Sequence, residues 1–221
     1  TMALTRQQIQ APSVYDHMLS GKIGYIALTV FGQDTASELS EALTSLQKQG
    51  ARAYVLDLRN NGGGYLNAAI DVASKFIPDG PIVSVESRAS NVMTYDAEST
   101  AVPAKPLVVL VNGYTASASE ITSGAIQDSG VGILIGTRTF GKGVVQTIYP
   151  LGDGSAIKIT TARYFTPRGR DIDHQGIEPD IVSKDVRNAR FGDPAHDPQL
   201  DRALGYINQR LAQDGQQTSA R

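Results

Sequence analysis

The segment Leu107–Ser129, LVVLVNGYTASASEITSGAIQDS, contains a strand, a turn and a helix in that order. Residues 107–111 are continuously apolar, which is typical of a strand covered on both faces. The turn NGYTA follows, and the helix is predicted from about Ala118 to Ser129. A strand that feeds directly into a helix is the repeating unit of a layered α/β fold, and this segment therefore predicts an α/β protein with a largely parallel sheet.

Two similar units precede this segment. A strand is predicted at residues 23–31 and a helix at 35–50, followed by a second strand at 53–58 and a second helix at 66–77. The turn between the second pair, residues 59–64, is rich in glycine. Ligand sites in such sheets collect beyond the carboxyl ends of the strands, so we expect this turn and the turn at 112–117 to meet at one edge.

The region after Gly130 changes in character. Strands are predicted at 132–135, 144–149 and 156–165, with turn signals between the last two, and residues 166–198 are predicted to be mostly loop. The sequence thus predicts an α/β core of strand–turn–helix units with an added β-rich part.

The two ends of the chain are predicted to differ. Residues 1–20 have no clear period and are interpreted as an arm or an edge strand. A C-terminal helix is expected from Asp197-Pro198, because proline is favoured in the first turn of a helix. Residues 215–221 are polar and are expected to be a disordered tail.

Composition excludes several classes of protein. With 41% hydrophobic residues, 19% charged residues and a formal net charge of −2, nucleic acid and anionic membranes are not expected partners. The chain has no cysteine, and no apolar run approaches the ~20 residues of a membrane helix. Asp171, Asp173 and His174 match no metal-ligand spacing and are interpreted as a polar loop, so no metal and no cofactor are expected.

Ser117 has two interpretations. Ser117-x-x-Glu120 is a capping-box pattern, and serine is a common helix N-cap. A serine at a helix start is also well placed for nucleophilic catalysis, because the free N–H groups there can stabilise an oxyanion. Thr115 and Ser119 are local alternatives that the pattern does not exclude.

A serine nucleophile needs a neighbouring base. His17, His174 and His196 lie in polar, loop-like surroundings, and no GxSxG motif is present. Lys142 therefore forms the most economical pair with Ser117, although a lone loop lysine is usually a solvated charge.

The sequence of the segment Gly136–Lys142 is also similar to that of a phosphate-binding loop. Gly143 stands where that loop needs serine or threonine, and a strand rather than a helix is predicted next. Nucleotide binding is therefore not expected.

Together these motifs resemble the carboxyl-terminal processing (tail-specific) serine proteases, and the likeness covers essentially the whole chain. The matching segments are LDLRNNGGG at residues 56–64, TASASEI at 115–121, FGKGVVQ at 140–146, the segments 158–169 and 176–180, and DPQLDRAL at 197–204.

The resemblance implies a role for each matched residue. Ser117 would be the nucleophile and Lys142 the general base, with Gln146 orienting the lysine amine. The backbone N–H groups of Gly63 and Ala118 would form the oxyanion hole. The implied fold is a crotonase-like or Clp-protease-like core.

Two departures from the family pattern matter. Gly62 replaces the usual proline, which makes Gly63 less distinct from Gly64 as a donor. The family also carries a peptide-binding PDZ domain, and residues 4–6 (Leu-Thr-Arg) resemble the strand that follows it. We therefore interpret residues 1–221 as a protease core without its PDZ domain, either excised or naturally shortened. Such a core is expected to cleave weakly and with little preference for apolar C-terminal residues, or to be inactive if the missing domain also aligns the catalytic groups.

The resemblance also implies partners and location. Substrates would be proteins or peptides with accessible C-terminal tails, and the full-length protein would work outside the bacterial cytoplasm. The main alternative is a non-catalytic, apolar-ligand-binding module on the same fold, which the presence of serine, lysine and glutamine together disfavours. A hydrolase of small acyl compounds is a second alternative.

Overall fold

The computed structural model describes residues 11–89, 91–185 and 192–219. In chain order its elements are β1 (Val14–Leu19), β2 (Ile23–Leu28), α1 (Thr35–Lys48), β3 (Ala53–Asp57), α2 (Leu66–Ser74), β4 (Pro81–Ser87), β5 (Val92–Asp96), β6 (Leu107–Val111), α3 (Ala118–Ser129), β7 (Ile133–Gly136), β8 (Val144–Pro150), β9 (Ala156–Phe165), β10 (Ile181–Val182) and α4 (Pro198–Ser219).

A six-stranded sheet forms the centre of the fold, in the order β1-β2-β3-β6-β7-β10. Strands β2, β3, β6, β7 and β10 run parallel, and β1 pairs antiparallel with β2 at one edge. Every residue of β3 and β6 is buried, as their apolar runs predict. The mixed α/β architecture with a largely parallel sheet is therefore confirmed.

The two faces of this sheet have separate cores. Helices α1, α2 and α3 cover one face, where Leu56 and Val109 pack with the apolar faces of the helices. Helix α4 covers the other face, where Leu200 and Ile207 pack with Val55 and other strand residues. Since successive strand residues point to opposite faces, each strand supplies both cores.

The β-rich part is a four-stranded antiparallel sheet in the order β5-β4-β9-β8. Ile82 and Val83 of β4 are buried and join the core that α1–α3 share. Strands β4 and β5 were not among the predicted elements; β5 has no buried residue and carries no apolar alternation that would mark it. Strand β8 lies at the edge of this sheet, next to β9.

Several predicted boundaries are corrected. Helix α2 ends at Ser74 rather than near Pro78, because the N–H groups of Lys75 and Phe76 bond to carbonyls three residues back, tightening the last turn. The short strand β10 lies within the segment predicted to be loop.

The chain ends also differ from expectation. Helix α4 continues to Ser219, so residues 215–219 are helical rather than a disordered tail. They are mostly glutamine and other polar residues, and glutamine is a good helix former. The edge strand expected within residues 1–20 is present as β1, whereas residues 4–6 lie outside the described residues. No helix in the described part of the chain is both long and apolar enough to cross a membrane.

Candidate active site

Ser117 lies in the turn of residues 112–117 that connects β6 to α3, called here the serine turn. Its backbone has φ 58° and ψ −118°, outside the usual regions for a residue with a side chain. Strained backbone of this kind persists only where the surroundings hold it, and it is concentrated at functional sites. The conformation distinguishes Ser117 from an ordinary N-cap, whose backbone is normally extended.

The serine turn is held by its own polar groups. The N–H of Asn112 donates to Thr115 Oγ1 at 2.9 Å, and Thr115 Oγ1 donates to the Leu58 carbonyl at 2.9 Å. Ser119 Oγ donates to the Asn61 carbonyl at 2.9 Å. Thr115 and Ser119 are thus fully buried and engaged, so of the three candidate hydroxyls only that of Ser117 lines a cavity.

The turn of residues 59–64, called here the glycine turn, meets the serine turn, as the sequence predicts. The Ala116 N–H donates to the Asn61 carbonyl at 3.0 Å. Gly63 has φ 94°, and a Cβ placed on it would lie 2.7 Å from both Ala116 O and Ala118 N. Only glycine allows this approach without strain. The predicted convergence of the two turns is therefore confirmed.

The two N–H groups expected to form the oxyanion hole differ in whether they already donate a hydrogen bond within the protein. Ala118 is the first residue of α3, so its N–H has no acceptor within the helix. The Gly63 N–H instead donates to Asn61 Oδ1 at 2.9 Å. Gly64 and Ala118 line the cavity beside Ser117. In this structure Gly63 can serve as a donor only if its bond to Asn61 opens.

A buried carboxylate joins the serine turn to residues 137–143, called here the lysine loop. Glu120 Oε2 accepts the N–H groups of Ser117 and Lys142, both at 2.9 Å. Its Oε1 accepts Thr139 Oγ1 at 2.5 Å and the Gly141 N–H at 2.8 Å. Glu120 therefore provides half of the predicted capping box and, through the same carboxylate, fixes Lys142 relative to Ser117.

Ser117, Lys142 and Gln146 line one cavity of about 180 Å³. Its other lining residues include Tyr65, Ile121, Lys158 and Tyr164, and no described residue that lines it is acidic. Within the described chain, Ser117 Oγ and Lys142 Nζ are not hydrogen-bonded to each other. Catalytic hydrogen bonds often tighten only when substrate binds, and both groups open into the same space.

Gln146 lies on β8 of the four-stranded sheet. Ser117 and Ala118 instead belong to the parallel layer, by which we mean the six-stranded sheet and the helices α1–α4 that cover it. Gln146 is exposed and pairs with Thr160 of β9. Strand β8 directly follows the lysine loop, so no phosphate-binding helix is present there.

The residues weighed as metal ligands have other roles. Asp173 Oδ1 accepts the Gly143 N–H at 3.1 Å, and the His174 N–H donates to the Gly141 carbonyl at 2.9 Å, so both hold the lysine loop. Among the described residues, no three histidine or acidic side chains are grouped in a way that could hold a metal ion.

None of the three histidines, all of which are described, lines the cavity. His17 lies in β1 rather than in a loop, and its ring is 3.3 Å from the Gly192 carbonyl oxygen. His196 pairs with Asp193 at 2.7 Å. In the part of the chain that the structure describes, Lys142 rather than a histidine shares the cavity with Ser117.

Arg59, the first residue of the glycine turn, anchors it through a buried guanidinium. Its guanidinium is fully buried and contacts Asp57 at 2.5 Å and Asp197 at 2.6 Å. It also donates to Gln199 Oε1 at 2.9 Å, so the start of α4 supports the turn. Tyr25 donates to Asp57 at 2.6 Å, and burial, followed by the charge of Asp57, raises the pKa of the Tyr25 phenol. The phenol therefore remains protonated as a donor.

Sequence reasoning assigned Glu120 only a capping role and did not single out Arg59. The i, i+3 spacing from Ser117 indicated that Glu120 could reach the Ser117 N–H. Nothing in that spacing indicated that the lysine loop would meet the same carboxylate, because that contact spans about twenty residues of chain.

Comparisons with known proteins identify the family to which the chain belongs. A sequence model described as Peptidase family S41 matches residues 22–183. The chain is 42% identical over 217 residues to a carboxyl-terminal-processing protease of Picosynechococcus sp., covering 96% of this chain and 52% of the relative. It is 44% identical over 161 residues to the chloroplastic C-terminal processing peptidase of Tetradesmus obliquus, covering 72% of this chain and 35% of the relative.

A solved structure of a photosystem II D1 C-terminal processing protease superposes with a TM-score of 0.74 at 37% identity. The match covers 87% of this chain and 53% of that one. The chain thus spans about half the length of several of the proteins it matches. Since the family model covers well over half of the chain, this chain belongs to peptidase family S41.

Proposed function

We propose that residues 1–221 form the core of a serine endopeptidase that cleaves proteins near their C-termini. Ser117 is the nucleophile, Lys142 the general base, and Gln146 orients the lysine amine. The Ala118 N–H and, once released from Asn61, the Gly63 N–H stabilise the oxyanion. The observation that carries the proposal is a strained serine at a helix N-terminus that shares a cavity with a lysine.

The proposed reaction has two stages. Ser117 Oγ attacks the scissile carbonyl carbon while its proton passes to the unprotonated amine of Lys142. The resulting ammonium returns that proton to the leaving nitrogen as the C–N bond breaks, which leaves an ester on Ser117. Water then attacks the ester carbonyl carbon while Lys142 accepts a proton from it. The C–Oγ bond breaks, the ammonium returns the proton to Ser117 Oγ, and the carboxylic acid product leaves. The N–H groups at the start of α3 favour the negative charge on the oxygen at both stages.

Two observations disfavour the binding-module alternative. The cavity of about 180 Å³ is smaller than the ~300 Å³ at the lower end of pockets that enclose drug-sized ligands. It is also lined by Lys142, Lys158 and Gln146, which an apolar ligand would desolvate without compensation. Substrates with accessible C-terminal tails, and a location outside the bacterial cytoplasm, are proposed from the names of the relatives and from the family resemblance.

The test compares the wild type with Ser117→Ala on an unfolded protein substrate, with the cut sites mapped by mass spectrometry. We expect cuts near the C-terminus by the wild type and a loss of at least ~10³-fold in rate for the variant. A melting curve must accompany the assay, since removing a serine cap can cost about 1 kcal/mol. Equal turnover by the two folded proteins would contradict the proposal.

A further inference from the structure

Tyr164 of β9 reaches both the serine turn and the lysine loop. The residue is 1% exposed and lines the cavity. Its hydroxyl donates to the Ser117 carbonyl at 3.1 Å and also to the Lys142 carbonyl. One phenol proton is thus shared between the carbonyl oxygens of the two residues to which the chemistry is assigned.

The phenol is held in the form that can donate. Burial first, and then the charges of Glu120 and Asp173, raise the pKa of Tyr164 above its ordinary value. Because the phenolate would lie buried beside these carboxylates, the group stays protonated at neutral pH. The hydroxyl is therefore available at neutral pH to donate to both carbonyl groups.

Glu120 makes the complementary contacts. It accepts the N–H groups of Ser117 and Lys142, whereas Tyr164 donates to the carbonyl groups of the same two residues. Each of these two residues is thus held on both sides of its Cα by the same pair of side chains. The two Cα atoms, from which the hydroxymethyl group and the lysine side chain project, are then fixed in position relative to each other.

We infer that Tyr164 is a positioning residue, whose hydroxyl sets the lysine base against the serine nucleophile by tethering their carbonyl groups. This inference rests on the proposed function. Tyr164 touches neither the reacting Oγ nor Nζ in the described contacts, so it acts through the backbone of Ser117 and Lys142. A small displacement of a base from its nucleophile slows the chemical step and leaves ground-state binding of substrate unchanged.

Tyr164→Phe isolates this contact, because the variant lacks only the hydroxyl. The ring packing is kept, and so is the backbone bond from the Tyr164 N–H to the Gly143 carbonyl at 3.0 Å. The matched control is Tyr54→Phe. Tyr54 is also 1% exposed, but it lies near the start of β3, at the opposite end of the strand from the glycine turn.

The experiment measures kcat and KM on one peptide substrate, and amide hydrogen exchange across residues 137–146. For Tyr164→Phe we expect kcat to fall about tenfold with KM within about twofold of wild type. Exchange should become faster at Gly141, Lys142 and Gly143 and stay unchanged in α3 beyond Ser123. Tyr54→Phe should resemble wild type in both readouts.

The outcomes separate this inference from the proposed function. Unchanged exchange in Tyr164→Phe would overturn the tether, whether or not the protein is active. Faster exchange with unchanged kcat would show a structural contact without a catalytic role and would overturn the inference. If exchange becomes faster in Tyr164→Phe but the wild type does not cleave the peptide, or cleaves it no better than Ser117→Ala does, the proposed function and the catalytic role of Tyr164 would be contradicted, while the tether itself would stand.

Discussion

The two sides of the candidate active site differ in how firmly the fold holds them. The serine turn and the glycine turn follow β6 and β3, in which every residue is buried. Gln146 lies on β8, in which no residue is fully buried and which forms an edge of the smaller sheet. Backbone between packed strands is costly to displace, whereas an exposed edge strand opens more easily.

This difference indicates which part of the candidate active site is more easily displaced by a substitution. The proposed nucleophile and the proposed oxyanion donors are positioned by turns that follow fully buried strands of the six-stranded sheet. The lysine loop, between the two sheets, is positioned by polar contacts, among them side-chain contacts from Glu120, Tyr164 and Asp173 and backbone bonds to Thr115, Ile177 and His174. The account therefore predicts that substitutions at these contacts lower the rate more than they lower stability.

The largest effect is expected for Glu120→Gln. An amide offers one oxygen and one NH₂ group, so two of the four donors around Glu120 would face another donor. We expect kcat to fall by about 10²-fold or more through misplacement of Lys142. Steady-state kinetics and a melting curve would measure the two effects.

Glu38→Gln is the matched control. The Glu38 carboxylate accepts the N–H groups of Ser13 and Val14 and the Ser13 hydroxyl, and it lies at the β1 edge of the parallel sheet rather than at the site. Its loss should lower the melting temperature with little effect on kcat. A similar loss of kcat in both variants would show that Glu120 acts through general stability. The contrast between the firmly held serine and glycine turns and the more easily displaced lysine loop would then be lost.

A smaller effect is expected for Gly63→Ala, which perturbs the firmly held side. The new Cβ would meet Ala116 O and Ala118 N, each at 2.7 Å, and φ is 94°. Strain of about 1–3 kcal/mol should lower stability, and displacement of the Ala118 N–H should lower kcat by roughly tenfold. Denaturant unfolding and kinetics would separate these contributions.

Gly62→Ala tests the same turn without the clash. No atom lies within 4 Å of a Cβ placed on Gly62. Its stability should stay within about 0.5 kcal/mol of wild type, with activity retained. If Gly62→Ala were as damaging as Gly63→Ala, the close approach of the two turns would not be the cause.

The smallest effect is expected for Gln146→Ala. This side chain is exposed and would orient the lysine amine without transferring a proton. Losing one hydrogen bond worth about 1 kcal/mol should lower kcat less than about tenfold. A loss as large as that of Glu120→Gln would mean that the exposed strand contributes more to catalysis than its burial indicates.

The sequence predicted best what is set by local pattern and burial. Strand β6 was predicted to the residue at Leu107–Val111, and α3 at Ala118–Ser129, because a buried apolar run, a turn and a capping pattern agree there. Strand β5 was not predicted, because its exposed residues 92–96 carry no such pattern. The parallel layer was therefore easier to foresee than the smaller sheet.

The same limit applies to the site. Motifs indicated Ser117 and Lys142, and the rule that sites collect at the carboxyl ends of parallel strands predicted that the turns at 59–64 and 112–117 meet. The family resemblance then singled out Gly63 and Ala118 within those turns. The second role of Glu120 and the contacts of Tyr164 arise where separate elements meet in space, and local spacing carries no signal for them. That Asn61 takes the Gly63 N–H is likewise a property of the folded turn.

The central claim is that Ser117 is activated by Lys142 across the junction of the two sheets. The most direct test is labelling with a serine-directed fluorophosphonate, mapped by mass spectrometry, in wild type, Ser117→Ala and Lys142→Arg. The account predicts a single label on Ser117 of the wild type, none in Ser117→Ala, and very slow labelling of Lys142→Arg, because guanidinium does not deprotonate in proteins. Labelling of Lys142→Arg at the wild-type rate, or a label on another residue, would contradict it.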